Sequence, residues 1–318
     1  MNARMKILIG YDGSGCADAA IDELRRAGLP EAAEALIVSV AEVWLPPPAD
    51  ENGAENPEVA GASSAPAAVQ QMWARREQIV EQARDLAGRA AHRVSHNFPH
   101  WTVRHEALSG SPSWELLRLA GDWQPDLVIV GSHGRTALGR FVLGSVSQRV
   151  LTESRCSVRI ARGETPVGEL PQRIVIGVDG SASSFAAVRA VAARRWMAGS
   201  EAHVVVVYDA LMPSALGSIG APSLEAVYLV NDEEQGRAGQ IAAQAAAQLR
   251  DANLTVSTFV AEGNPKQLLL EHAEKRGADS IFVGSTGFSS RIDRFLLGSV
   301  SAAVAARAHC SVEVVRGE

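Results

Sequence analysis

Two kinds of loop in this chain carry residue types suited to binding an anion, and each occurs twice. Gly131-Ser132-His133-Gly134 is followed, nine residues later, by Gly144-Ser145-Val146-Ser147. Gly284-Ser285-Thr286-Gly287 is followed, ten residues later, by Gly298-Ser299-Val300-Ser301. Glycine permits positive φ and close backbone approach, so successive N–H groups in such a loop can converge on one anion. Each Gly-Ser pair also opens a helical pattern, and a helix N-terminus adds exposed amides and the positive end of the macrodipole. Arg135 and Arg140 contribute positive charge to the first loop; the second has Phe288 at the place of Arg135, with Arg291 and Arg294 further on. The structural alternative is that these glycines only make tight turns and Ser145 only caps. It loses weight because the pattern recurs, each time after a buried apolar run. The second kind of loop is Asp12-Gly13-Ser14 and Asp179-Gly180-Ser181. A carboxylate there either caps the next helix or faces a ligand hydroxyl or ring nitrogen; taken alone, capping is the favoured reading.

Other reactive residues carry less. His92 and His96 stand one helical turn apart without a third metal ligand in view, which reads as a surface pair. Cys156 and Cys310 occupy matching places before apolar runs and read as buried thiols. No GxxxxGK[ST] and no GxGxxG after a first strand is present, so neither a P-loop nor a dinucleotide fingerprint is expected.

The elements that must position these loops repeat as well. KILIGYDGSG (6–15) returns as RIVIGVDGSA (173–182), and residues 141–164 match 295–318 at 13 of 24 positions without a gap. A repeat of this length is a duplicated domain rather than a solenoid unit. Strands are predicted at 6–11, 35–43, 101–107, 126–131 and 157–162, and helices near 17–27, 69–96, 113–121 and 145–154. The run Leu127-Val128-Ile129-Val130 is apolar on both faces, as a buried parallel strand requires. The expected division is a first domain over 1–164, a linker at 165–171 and a second domain over 172–318. The Pro-, Ala- and acid-rich stretch 44–68 is expected to be a mobile surface insert.

Composition narrows the function classes. With 318 residues, 47% hydrophobic and 21% charged, two folded domains are expected. No apolar run approaches the ~18 residues of a membrane span, and no secretory leader is read. A net charge of −6 disfavours nucleic acid or an anionic membrane as partner. Three widely spaced cysteines suit a reducing cytoplasm.

With G-x2-G-x9-G-S after the fourth strand and an Asp closing the first, the chain resembles the ATP-binding branch of the universal stress protein family in its tandem form. The resemblance runs through nearly the whole chain twice, leaving out 44–68 and the linker. It implies an α/β fold: two tandem open parallel five-stranded sheets of order 3-2-1-4-5, helices on both faces, Rossmann-like and of the adenine nucleotide alpha hydrolase type. It implies adenine beside Asp12 and Val40, and phosphate on Gly131, His133, Gly134, Gly144, Ser145 and Val146, with Arg135 adding charge. In the second copy the matching positions are Asp179, Val207, Gly284, Thr286, Gly287, Gly298, Ser299 and Val300. There the loop is one residue longer and lacks the arginine, so weaker phosphate binding is expected. The resemblance further implies that the last strands, 157–162 and 311–316, pair antiparallel, giving a pseudo-dimer within one chain; a homodimer is the other partner expectation. Three functions follow: an ATP-binding regulatory protein of the stress response, with Mg²⁺ offsetting phosphate charge; an ATP-using enzyme of a related fold with 44–68 as lid; or a nucleotide-free interaction module. The first is preferred. No general base is evident beside the phosphate loop, so at most slow hydrolysis or self-phosphorylation is expected.

Overall fold

The computed structural model describes residues 4–43, 67–134, 143–162, 170–209, 224–286 and 297–317. In the first half β1 (Met5–Gly10), α1 (Gly15–Glu23), β2 (Ala33–Ala41), α2 (Ala67–Asn97), β3 (Thr102–Ser109), α3 (Pro112–Trp123), β4 (Leu127–Gly131), α4 (Ser145–Glu153) and β5 (Ser157–Ala161) alternate along the chain. The second half repeats them as β6 (Arg173–Gly177), α5 (Ala182–Ala192), β7 (Glu201–Tyr208), α6 (Leu224–Gln248), β8 (Thr255–Glu262), α7 (Pro265–Arg276), β9 (Ser280–Gly284), α8 (Ser299–Arg307) and β10 (Ser311–Val315). Of the stretch 44–68, Ala67 and Ala68 open α2; residues 44–66, and 165–169 of the expected linker 165–171, lie outside the described residues.

All ten strands form one sheet of order β3-β2-β1-β4-β5-β10-β9-β6-β7-β8. Each half has the 3-2-1-4-5 order with parallel neighbours, and the halves meet where β5 and β10 run antiparallel. Strand order reverses between β1 and β4, and again between β6 and β9, which opens a crevice at the carboxyl ends of those strands.

Side-chain alternation gives the junction two unlike faces. Val158 and Ile160 of β5, with Val312 and Val314 of β10, join α3, α4, α7 and α8 in one apolar core that crosses the junction. On the opposite face the cores are separate: α1 and α2 cover one, α5 and α6 the other. Between them lies charge. Arg159, fully buried, stands directly opposite Glu313 and donates to it at 3.2 Å. Its Nε donates to Glu23 at 3.0 Å, and Arg194 pairs with the other Glu313 oxygen. The order Glu23–Arg159–Glu313–Arg194 alternates in sign, so each buried charge has an opposite neighbour.

The halves also finish one another's helices. Arg162 donates to the Ala306 and Ala308 carbonyls just at the end of α8, and Arg316 donates to the Leu151 and Thr152 carbonyls near the end of α4. These carbonyls have no partner within their own helices, and a cation suits the negative end of the dipole. Arg159→Met, which takes from buried Glu23 its arginine and leaves Glu313 to Arg194 alone, is expected to cost about 3–5 kcal/mol. The urea midpoint measures it, and an unchanged midpoint would show that the ion chain does not hold the junction.

At the far edge, His203 of β7 bonds Ser257 at 2.6 Å and Glu201 at 3.2 Å, and its ring meets that of His272 on α7, which packs on Phe259. Burial pushes both imidazoles down, with Arg276 adding to the effect on each; His272 falls from the ordinary value of 6.5 to about 4. The unfolded chain therefore takes up protons first as pH falls. Stability is expected to be full above about pH 6.5 and to decline toward pH 4. His272→Leu should flatten that decline, which urea midpoints at neutral and acid pH will read.

Candidate functional site

The crevice of the first half is built from the ends of β1 and β4. Beyond β1, the Ser14 N–H donates to Asp12 Oδ1 at 2.9 Å, and Gly13 between them has φ +77°. Ser14 is the N-cap of α1, its Oγ accepting from the Ala17 N–H at 3.2 Å. The second half repeats this: Ser181 N–H to Asp179 Oδ1 at 3.0 Å, Gly180 at φ +85°, and Ser181 capping α5. The capping role weighed for the aspartates thus belongs to the serines. The carboxylates close the turn with one oxygen, because a short side chain reaches the amide two residues on. Asp12 Oδ2 points toward the other loop, 3.1 Å from where a Cβ on Gly134 would stand.

That other loop is tied at both ends. Ser147 Oγ donates to the Gly131 carbonyl at 2.6 Å, and the Gly144 N–H donates to the Ser132 carbonyl at 2.9 Å. The buried Ser132 hydroxyl meets His133 Nδ1 at 2.8 Å. Positive φ occurs at none of Gly131, Gly134, Gly144, Gly284 or Gly298. Their glycine requirement comes from proximity: a Cβ on Gly131 would stand 3.1 Å from the Cys16 carbonyl, and one on Gly144 would stand 3.5 Å from His133 Cα. Left-handed backbone sits in the Asp-Gly-Ser turns instead. Gly144, not Ser145, is the N-cap of α4, and no side chain caps that helix. Its first-turn amides are therefore left to solvent or a ligand.

Together these loops border an open cleft of about 580 Å³. Asp12, Val40, Gly131, His133, Gly134, Gly144, Ser145 and Val146 all line it. Such a volume lies in the range of small-molecule sites. Sequence reasoning missed the remaining walls. Ile79, Gln82, Ala83 and Leu86 of α2 close one side, Pro112 and Leu116 of α3 another, and Glu42 stands at the rim past β2. The Ile79-Ala83-Leu86 stripe has helical spacing and was legible as an inward face; nothing in the pattern marks Glu42. Arg135 and Gly287 lie outside the described residues, as do Arg140, Phe288, Arg291 and Arg294. In the second half Asp179, Val207, Gly284, Thr286, Gly298, Ser299 and Val300 hold the corresponding places at the ends of β6, β7 and β9 and at the start of α8.

His92 and His96 are exposed on α2, and among the described residues no three metal-ligating side chains gather. Burial raises the Cys156 thiol and takes that of Cys310 up to about 12, away from thiolate chemistry. No helix among the described residues is long and apolar enough to cross a membrane.

A family model described as "Universal stress protein family" matches residues 3–162 and again 171–316. The chain belongs to the universal stress protein family. A universal stress protein of Mycolicibacterium smegmatis is 33% identical over 221 residues, covering 68% of this chain and 69% of the relative. One from Mycobacterium tuberculosis is 28% identical over 217 residues with the same coverage. The crystal structure of a universal stress protein from Archaeoglobus fulgidus aligns over 98% of this chain and 97% of that one, at 21% identity and a TM-score of 0.58, and so shares the fold.

The turn that orients Asp12 depends on Gly13. A side chain there would adopt a disfavoured φ, and its Cβ would come within 2.6 Å of Leu86 Cδ2 on the cleft wall. Gly13→Ala is expected to cost about 1–3 kcal/mol, visible in the thermal midpoint. A variant as stable as the parent would mean the turn relaxes freely.

Proposed function

We propose that this universal stress protein is a regulatory protein of the stress response that holds ATP, accompanied by Mg²⁺, in the first-half cleft. One observation carries the reading: eight positions implied by resemblance to the ATP-binding branch, drawn from β2, α4 and the loops after β1 and β4, line a single cleft. Asp12 and Val40 would hold the adenine end. The loop from Gly131 to Gly134 and the uncapped first turn of α4 would hold phosphate, since backbone amides and a helix N-terminus favour negative charge there. The glycines leave the room that a Cβ would fill. Magnesium would offset the charge of the triphosphate. A cytoplasmic setting belongs to this proposal and rests on three free cysteines. So does the division into domains 1–164 and 172–318 about a linker at 165–171.

Mass spectrometry of small molecules released from freshly purified protein is expected to find adenine nucleotide. ATP with Mg²⁺ should raise the melting temperature, and Gly134→Val, whose side chain would press on Asp12 Oδ2, should abolish the rise while the protein stays folded. DNA raising the midpoint while millimolar ATP and ADP leave it unchanged would overturn the reading. Turnover at or above ~1 s⁻¹ would identify an enzyme instead.

A further inference from the structure

The two halves begin their first helix with different residues: Gly15-Cys16-Ala17 in α1 and Ala182-Ser183-Ser184 in α5. In the second half the added hydroxyls bind the site's own loops. The Thr286 N–H donates to Ser183 Oγ at 3.2 Å, and that oxygen lies 3.5 Å from Ser285 Oγ. The Asp179 N–H donates to Ser184 Oγ at 3.3 Å. Ser181 Oγ donates to Asp179 Oδ1 at 2.6 Å, so the Asp-Gly-Ser turn and the glycine loop are both fastened to the start of α5. The helix also stands closer. A Cβ on Gly284 would come within 2.5 Å of the Ser183 carbonyl carbon and of its Oγ, whereas one on Gly131 would stand 3.1 Å from the Cys16 carbonyl carbon. Cys16 carries no hydroxyl, and sulfur is a weak acceptor.

We propose that Ser183 closes the second half to nucleotide, its hydroxyl taking the Thr286 amide that a phosphate oxygen would need, so that one ATP binds per chain, in the first half. The inference rests on the ATP reading above. An amide already bonded inside the protein gains little by turning to phosphate, since one hydrogen bond replaces another. Ser183 must first leave, and α5 lies so near Gly284 that even a Cβ there would not fit. The first half, with Cys16 at this place, has no hydroxyl to put there.

Equilibrium dialysis of the full chain against radiolabelled ATP with Mg²⁺ tests this. The parent protein is expected to bind one ATP per chain, and Ser183→Ala and Ser183→Cys two. The reciprocal Cys16→Ser should weaken first-half binding about fivefold or more, the worth of one net hydrogen bond. Thermal melts of each variant confirm folding, and the two Ser183 variants serve as independent checks. Two equal sites in the parent, a single site in both folded Ser183 variants, or loss of an existing site on removing the hydroxyl would each overturn the inference while leaving ATP binding standing. No ATP bound by the parent or any variant would overturn the ATP reading, and this inference with it.

Discussion

Everything in this molecule is arranged around the antiparallel pairing of β5 with β10. A parallel α/β half ends in a strand with one edge unpaired, and such an edge invites uncontrolled association. Here each half covers the other's edge, and ten strands share one sheet. The two faces of the pairing differ in kind. One continues the apolar core across the junction; the other buries Glu23, Arg159, Glu313 and Arg194 in alternating order. Arg159 and Glu313 occupy equivalent positions of the repeat and face each other across the strands. Pairing like halves in this register would set arginine against arginine, or glutamate against glutamate, in a dry place. The charges therefore favour the union of unlike halves, while the apolar face adds hydrophobic burial across the junction.

The same pairing orients the sites. With β5 and β10 at the centre, β4 and β9 lie one strand further out and β1 and β6 one beyond those, so the two crevices flank the junction. Arg162 and Arg316 cap the last helix of the opposite half and so couple the ends of α4 and α8 to the junction; the beginning of α4 lines the first-half cleft. A half taken alone would lose the cap on its final helix as well as its edge partner.

Duplication has let the halves diverge at the sites while the frame stayed constant. Ser147 and Ser301 make the same 2.6 Å bond to the end of the fourth strand of their half. Ser14 and Ser181 cap the first helix of their own halves, α1 and α5. The differences gather just after those caps, where Cys16-Ala17 is replaced by Ser183-Ser184, and in the length of the glycine loop. The second half thus turns two hydroxyls onto its own loops at a place where the first half has none.

What the sequence determined by itself was the order and kind of the elements. Period-two and period-3.6 patterns, the buried run at Leu127–Val130 and the repeat offsets place nearly every first-half strand and helix end within two residues of where it lies, because burial of one face is a local property of the chain. The Asp-Gly-Ser and Gly-Ser loops were equally legible, since glycine and short polar residues mark where the chain leaves a strand. Tertiary structure decided which atom does what. Ser14, rather than Asp12, caps α1, and the loop glycines answer to close neighbours rather than to positive φ. The wall from α2 and the Thr286–Ser183 bond join residues far apart in sequence, the latter 103 positions apart. Such contacts follow from how helices settle on a twisted sheet, and no local pattern records that distance.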